Sequence, residues 1–138
     1  MRIPVLAVGR ARPPFVEPEA HYLKLTQPRQ RVEVIEVKDD AALIRRADPA
    51  SRLVALELEG REMGSEGWAA WLDRRRHEGR DVTLLIGGPA GLPEELRARA
   101  DESISLGRHT MAHQLARIVL LEQIFRAGKI LAGEPYHL

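Results

Sequence analysis

The sequence contains no cysteine, and this absence limits the chemistry that the chain can perform. A disulfide framework, a zinc site built on thiolates and a cysteine nucleophile are all excluded. No uninterrupted apolar run approaches the ~20 residues that a membrane-spanning helix needs. The first residues lead directly into a strand-like apolar pattern and not into a signal peptide. We therefore expect a cytoplasmic protein with no membrane segment.

The sequence also lacks an excess of charge of either sign. Its 21 Lys and Arg residues face 20 Asp and Glu residues, which gives a formal net charge of +1 at pH 7. A charge so close to zero provides no global attraction to nucleic acid, so any RNA contact needs a local basic patch. Arg10 and Arg108 each follow a predicted strand and are candidates for phosphate contacts. The basic run at residues 74–76 lies near a helix end and is more simply solvated.

The apolar residues that are present suffice for a single core. With 138 residues, of which 44% are hydrophobic, the chain is expected to form one domain over residues 1–138. Apolar runs alternate with helical patterns, which predicts an α/β fold with a mainly parallel sheet flanked by helices. Strands are expected at residues 3–8, 32–37, 53–58, 82–86 and 103–106. Helices are expected around residues 20–25, at 39–47, after Ser65, at 93–100 and from about 111 to 127 or beyond. A turn is predicted over residues 60–64, with Ser65 as the N-cap of the next helix.

The last predicted helix is apolar over more than one face. A helix that covers only its own sheet needs a single apolar stripe, and this helix has more. The residues that widen it are Leu115, Ile118, Val119, Leu120, Leu121, Ile124 and Phe125. Such a helix is either deeply buried within one subunit or packed against a second one. The small size of the chain favours the second interpretation, a dimer.

The most informative stretch is an apolar strand that ends in a glycine-rich loop, Leu84-Leu85-Ile86-Gly87-Gly88-Pro89-Ala90-Gly91-Leu92. Glycine lets the backbone turn sharply and approach a ligand closely. The spacing fits neither the dinucleotide-binding fingerprint nor a P-loop, and such glycines on their own more often form a tight turn. A second polar loop follows the fifth predicted strand at residues 105–110. Because loops after parallel strands meet at one edge of a sheet, these two are expected to form a pocket suited to an adenine and a methionine moiety.

The histidines and the last residues offer further candidates. His21 and His77 lie among polar residues and are most simply solvated. His109 and His113 are four residues apart, but no third ligand completes a zinc site, so no metal is expected. His113 is either a capping or packing residue or a support beneath the ligand loop. The C-terminal Tyr136-His137 pair is a plausible positioned tail, although a disordered terminus is the usual case.

Taken together, these residues resemble the RlmH family of the SPOUT superfamily, which methylates ribosomal RNA of the large subunit. The resemblance spans nearly the whole chain. The motifs that carry it are Ala7-Val8-Gly9-Arg10, Leu56-Glu57-Leu58-Glu59-Gly60-Arg61, Ser65-Glu66-Gly67, the glycine-rich stretch Leu85–Leu92, Ser105-Leu106, His113-Gln114-Leu115-Ala116-Arg117, Glu122-Gln123-Ile124-Phe125-Arg126-Ala127 and Pro135-Tyr136-His137.

The resemblance implies a SPOUT-type sheet flanked by helices with a deep C-terminal trefoil knot, and a homodimer that binds S-adenosylmethionine in the knot. It also implies methylation of N3 of a pseudouridine in helix 69 of 23S rRNA, within the assembled ribosome. The implied cofactor-binding residues are Leu56, Gly87, Leu106, Gly107, Arg108, His109, Thr110 and Met111. His137, assisted by Tyr136, is the implied proton acceptor or base-orienting group, reaching a neighbouring active site in the dimer.

This sequence departs from the family pattern at three positions in the second loop. Gly107, His109 and Ala112 stand where relatives usually carry Ser, Met and Pro, so the loop is expected to be slightly reshaped while its backbone contacts survive. Two other functions remain open at this point. The chain could be a SPOUT methyltransferase that acts on tRNA or on another rRNA site, or a non-catalytic module that binds a nucleotide or RNA.

Overall fold

The computed structural model describes residues 1–136. Five strands, β1 (Arg2–Val8), β2 (Arg31–Val37), β3 (Arg52–Glu62), β4 (Val82–Ile86) and β5 (Glu102–Ser105), form a parallel sheet in the order β2-β1-β4-β3-β5. The helices are α1 (Val16–Thr26), α2 (Asp40–Arg46), α3 (Ser65–Glu78), α4 (Glu94–Arg99) and α5 (His113–Leu131). The α/β class and the parallel sheet flanked by helices are therefore confirmed.

The helices form a layer on each face of the sheet because the strands are apolar on both sides. In β1, Ile3, Val5 and Ala7 face a cluster that includes α1, α3 and α5, whereas Leu6 faces a second cluster with α2 and α4. This alternation is the two-residue period of an extended strand. Within residues 1–136, no helix is both long enough and apolar enough to cross a membrane.

Helix α5 lies at the centre of the first helical layer and is only partly covered. Leu120, Leu121 and Ile124 are buried against the sheet, yet Leu115 remains 41% exposed and Ile130 40% exposed. Ile118 and Val119 are half-buried. A single subunit therefore leaves part of the apolar surface of α5 facing solvent.

The chain around β5 differs from the sequence prediction. The turn predicted at residues 60–64 is wrong, because β3 continues to Glu62 and pairs twice with the same residue of β5: Ile104 is paired with Leu56 and again with Arg61. Gly60 makes this path feasible, since a Cβ at that position would lie 2.7 Å from the backbone N and C of Ile104. Turn-forming glycines alone do not reveal such a long-range contact.

Ser65 is not the N-cap that the sequence suggested. Gly64 holds the capping position, and Ser65 begins the helix. The Ser65 hydroxyl instead donates a hydrogen bond to Oε1 of Gln123, 3.0 Å away on α5. The predicted cap is thus replaced by a link between α3 and α5, which only the packing of the two helices creates.

A carboxylate at the start of β5 ties the edge of the sheet to α3. Glu102 accepts hydrogen bonds from Arg52 Nε at 2.8 Å, from Trp71 Nε1 at 3.1 Å and from Arg75 Nη1 at 3.1 Å. These donors come from β3 and α3. Hydrogen bonds to an ionised carboxylate are among the stronger ones in proteins, so this cluster fixes the outer strand against its covering helix.

The most deeply buried charge is Arg117 on α5, whose side chain is 1% exposed. Its Nε lies 2.5 Å from Glu19 Oε1 on α1, its Nη2 donates to Glu36 Oε2 on β2 at 2.7 Å, and its Nη1 donates to the Gly9 carbonyl at 3.3 Å. Burial tends to raise the pKa of Glu36, but hydrogen bonds from Arg117 and from the Ala11 N–H hold that pKa below its usual range.

We predict that Arg117→Met destabilises the protein by about 3 kcal/mol, because it leaves the Glu19 and Glu36 carboxylates packed together without their cation. Urea unfolding measures the change. The matched control is Arg76→Met on the exposed side of α3, which should change stability by less than about 0.5 kcal/mol. Equal midpoints for the two variants would contradict the role given to Arg117.

Candidate functional site

A cavity of about 230 Å³ opens where β4 and β5 end and α5 begins. The middle of β3, at residues 56–58, borders it as well, and the ends of parallel strands are where ligands commonly bind. Three segments supply most of its wall, and the start of α5 closes it. The lining residues are Leu56, Glu57, Leu58, Ile86, Gly87, Gly88, Pro89, Gly91, Leu92, Ser105, Leu106, Gly107, His109, Thr110, Met111, His113 and Ala116.

The glycine-rich loop after β4 folds back on itself. The Gly91 N–H donates to the Gly88 carbonyl at 2.9 Å, and Gly91 has a φ of +86°, which favours glycine. A Cβ at Gly87 would lie 2.6 Å from the backbone N of Leu92 and would also collide with the Gly91 carbonyl group. The absence of a side chain at Gly87 is therefore what allows the loop to close over the end of the strand.

The loop after β5 is held by a serine that both donates and accepts. Ser105 Oγ donates to the Gly107 carbonyl at 2.9 Å and accepts from the Gly107 N–H at 3.1 Å, while Gly107 takes a φ of +141°. Within the described part of the chain, the backbone of residues 108–111 makes no hydrogen bond to another protein group. These N–H and C=O groups are available to a ligand in the cavity.

The wall itself is mainly apolar. Leu56, Ile86, Leu92, Leu106 and Met111 face the cavity. One carboxylate also borders it, but that group is already engaged: Glu57 accepts from Ser103 Oγ at 2.5 Å and from Arg97 Nε at 2.9 Å. Apolar walls with free backbone groups suit a planar heterocycle whose polar edge is recognised by the main chain.

The start of α5 is fastened to the loop after β1. Gln114 accepts from the Arg12 N–H at 2.8 Å and donates to the Arg10 carbonyl at 3.1 Å. His113 lines the cavity and packs against Gly9, where a Cβ would lie 3.8 Å from its Nε2. The N-cap of the helix is Ala112, so His113 is a packing and lining residue rather than a cap.

The two loops meet as the sequence predicted. Of the eight residues implied for cofactor binding, the cavity is lined by Leu56, Gly87, Leu106, Gly107, His109, Thr110 and Met111. Arg108 is the exception, since its side chain is 91% exposed and its Nε lies 3.5 Å from Glu62. Any contact of Arg108 with a ligand in the cavity would have to come from its backbone.

Sequence reasoning missed three lining residues, Glu57, Leu58 and Ala116. Ala116 follows His113 by three residues, which places both on one side of a helix, and its small size was the available signal. Leu58 is 51% exposed at the rim of the cavity. The alternating pattern of β3 alone does not distinguish an exposed apolar residue of this kind from a buried one.

The structure places Tyr136 away from the cavity of its own subunit. Its ring packs edge-on against Phe125, with centroids 5.0 Å apart, and the guanidinium of Arg126 lies 4.2 Å from its centroid. Burial, and next the Glu122 carboxylate, raise the pKa of Tyr136 above its usual value. His137 lies outside the described residues.

His21 and His77 do not line the cavity and are exposed on helix surfaces. Among residues 1–136, no cluster of three or more His, Asp or Glu side chains is arranged to hold a metal ion.

A family model described as "Predicted SPOUT methyltransferase" matches residues 1–137. The chain belongs to the SPOUT methyltransferase family. Curated relatives narrow the class further. The chain is 38% identical to a protein of Carboxydothermus hydrogenoformans and 41% identical to one of Anaeromyxobacter dehalogenans strain 2CP-C, each comparison covering 99% of both chains. Both relatives are named ribosomal RNA large subunit methyltransferase H, the RlmH family.

Solved structures agree on the fold. A probable methyltransferase from Bordetella pertussis matches with a TM-score of 0.62 at 14% identity, over 91% of this chain and 95% of that one. The SpoU methyltransferase AviRb from Streptomyces viridochromogenes, in complex with AdoMet, matches with a TM-score of 0.55 at 13% identity, over 97% of this chain and 59% of that one. At such low identities these likenesses show the fold alone.

We predict that Gly87→Ala destabilises the protein by about 1–3 kcal/mol, because the added methyl group forces the 88–91 turn away from the strand. Urea unfolding gives the size of the effect, and amide hydrogen exchange locates it in residues 87–92. Gly88→Ala is the matched control, since a Cβ there meets the Val8 side chain at ordinary contact distances, 3.4 Å from Cγ1 and 3.8 Å from Cβ. Similar losses for both variants would refute the requirement for glycine at position 87.

Proposed function

We propose that this protein is a methyltransferase that uses S-adenosylmethionine to methylate large-subunit ribosomal RNA in the cytoplasm. The observation that carries the proposal is the position and composition of the cavity in a chain that matches its RlmH relatives over 99% of its length. The glycine loop and the loop after β5, predicted from different parts of the sequence, form one site. The finer proposal is that the methylated atom is N3 of a pseudouridine in helix 69 of 23S rRNA.

The cavity fits the proposed cofactor. Its apolar wall, at Leu56, Ile86 and Leu106, accommodates the faces of an adenine ring, and the unpaired backbone groups of residues 108–111 offer donors and acceptors for the edge of that ring. The glycine-rich loop that follows β4 borders the rest of the cavity. When bound, S-adenosylmethionine supplies a methyl group made reactive by its positively charged sulfur. The contribution of the chain is then alignment of this donor with the acceptor nitrogen.

N3 of the acceptor base carries a proton that has to be removed as the methyl group is transferred. We assign this proton to His137, because a histidine side chain titrates near neutral pH and can accept it. Tyr136 has a different role, since its raised pKa keeps the phenol protonated. A protonated hydroxyl donates a hydrogen bond and so orients the base.

The distance along α5 supports a dimer in which the tail of one subunit serves the cavity of the other. Tyr136 packs at Phe125 and Arg126, whereas the cavity ends at Ala116, about 14 Å away along the helix axis. Within residues 1–136, the tail therefore lies at the opposite end of α5 from the cavity of its own subunit.

The uncovered stripe of α5 indicates how two subunits meet. Leu115, Ile118 and Val119 lie between the cavity end of the helix and the tail end, and one subunit leaves them partly exposed. A two-fold axis that pairs this stripe with itself would run the two helices antiparallel. The tail end of each helix then lies beside the cavity end of its partner, which is the arrangement that we propose for the homodimer.

The path around β5 supports the trefoil knot that the resemblance implies. The double pairing of Ile104, with Leu56 and with Arg61, and the close approach of Gly60 to its backbone take the end of β3 across β5. A knot needs crossings of this kind near the point where the C-terminal segment leaves the sheet.

Exposed arginines near the cavity supply the local positive charge that RNA binding needs. Arg10 and Arg12 are exposed on the loop that Gln114 fastens to the start of α5, and Arg108 is exposed after β5. Phosphate contacts of this kind position an RNA without reading its sequence. They fit a substrate whose reactive base enters the cavity while its backbone stays at the rim.

We predict that the protein transfers labelled methyl groups from S-adenosylmethionine to ribosomes that lack the modification, and that nucleoside analysis finds the label as N3-methylpseudouridine in 23S rRNA. Free 23S rRNA and tRNA are tested in parallel. Label in tRNA alone would overturn the proposed substrate. Binding of S-adenosylhomocysteine by calorimetry with no transfer to any RNA would instead indicate a non-catalytic binding module.

We also predict that His137→Ala abolishes most methyl transfer without changing the affinity for S-adenosylhomocysteine. Leu106→Trp, which fills part of the cavity, should be inactive because it does not bind the cofactor. In a further experiment, subunits of the two variants are mixed in equal amounts. If each tail serves the partner cavity, every mixed dimer contains one intact site, and the mixture recovers about one quarter of wild-type activity. Full activity of His137→Ala, or no recovery on mixing, would refute the assignment.

A further inference from the structure

The carboxylate of Glu134 attaches the segment after α5 to the body of the subunit. Glu134 Oε2 lies 2.8 Å from Lys129 Nζ on α5, and Glu134 Oε1 forms an ion pair with Arg29, in the loop between α1 and β2. Both oxygens are thus bound by cations that come from different elements. The chain is thereby fastened to two parts of the fold just two residues before Tyr136.

The backbone reinforces this attachment. Gly133 takes a φ of +67° and donates to the Ile130 carbonyl at 3.1 Å, and the Glu134 N–H donates to the Lys129 carbonyl at 3.0 Å. These bonds turn the chain back against the end of α5. The next residue, Pro135, restricts the backbone further because its ring fixes φ. The direction in which Tyr136 leaves the helix is therefore set by residues 133–135.

Glu134 is charged at every pH at which ribosomes function. Its hydrogen bonds with Arg29, and next with Lys129, lower its pKa to about 2. Even so, its side chain is 38% exposed and that of Arg29 is 43% exposed. Ion pairs as exposed as these contribute little to folding stability. The ion pairs of Glu134 therefore add little to folding stability, and their main effect is on the direction of the tail.

We infer that Glu134 is a positioning residue for methyl transfer, which holds the tail at the end of α5 so that Tyr136 is directed at the acceptor base. The inference rests on the proposed function, because only that function gives the tail a role in the reaction. The inference goes beyond the proposed function because it assigns the direction of the tail to Arg29, Lys129 and Glu134. None of these three residues lines the cavity or touches the reacting atoms.

The experiment compares Glu134→Gln with the wild-type protein, using ribosomes as substrate. The amide keeps the size of the side chain but loses the charge that both cations bind. We expect kcat to fall about tenfold, since small misplacements of catalytic groups have large effects on rate. The affinity for S-adenosylhomocysteine and the urea midpoint should stay unchanged, because the cavity lies at the other end of α5.

A matched control and a double variant separate positioning from general loss of charge. Glu33→Gln removes an exposed ion pair of the same kind, with Arg2 at the far end of β1, and should leave kcat unchanged. Arg29→Gln should resemble Glu134→Gln, and combining the two should add little, since both remove one interaction. Additive losses, or an unaltered kcat in Glu134→Gln, would overturn the inference.

Amide hydrogen exchange of Gly133, Glu134 and Tyr136 tests the attachment without reference to activity. Faster exchange in Glu134→Gln than in the wild-type protein supports it, and equal exchange refutes it. If the wild-type protein transfers no methyl group to ribosomes, the proposed function fails and so does the catalytic consequence of Glu134. If the wild-type protein is active and only the variant results disagree, the inference fails alone.

Discussion

The buried guanidinium of Arg117 is the interaction on which the rest of this structure depends. A charge that is 1% exposed needs opposite charges and hydrogen-bond acceptors around it, and those of Arg117 come from α1, β2 and the loop after β1. Meeting that requirement places the start of α5 against the end of β1. The same placement brings Gln114 into hydrogen-bonding contact with the loop after β1 and brings His113 to the wall of the cavity.

The site is built from backbone and apolar surface, with charge kept at its edge. Gly87 allows two main-chain segments to approach one another, and Gly107 takes a positive φ in the loop after β5. The nearby carboxylate of Glu57 is neutralised by Arg97. Such a cavity recognises the shape and polar edge of a ligand without presenting a free ion of its own. The exposed arginines lie outside the cavity, so in the proposed function the cofactor and the polyanionic RNA would bind to separate surfaces.

One helix also separates the two halves of the proposed active site. The cavity closes at the start of α5, and the tail is fastened at its end by Glu134 and packed through Tyr136. A separation of about 14 Å along a rigid helix is not removed by side-chain motion. In the proposed homodimer, a second copy that runs in the opposite direction brings the tail of one subunit beside the cavity of the other. The partly exposed stripe of α5 and the fastened tail would then serve the same active site.

The sequence by itself determined the α/β class, the parallel strands and the two loops of the site, because strand and helix periods and glycine-rich strand ends are local signals. The sequence also showed the resemblance to the RlmH family, because several motifs in a fixed order are more specific than any single residue. Only the tertiary structure decided that β3 runs on through Gly60 to pair with β5 again, that Ser65 bonds to Gln123 instead of capping, and that Arg108 points away from the cavity. Each depends on contacts between residues far apart in the chain. The local pattern around a residue does not contain its distant neighbours, and those neighbours selected the observed conformation.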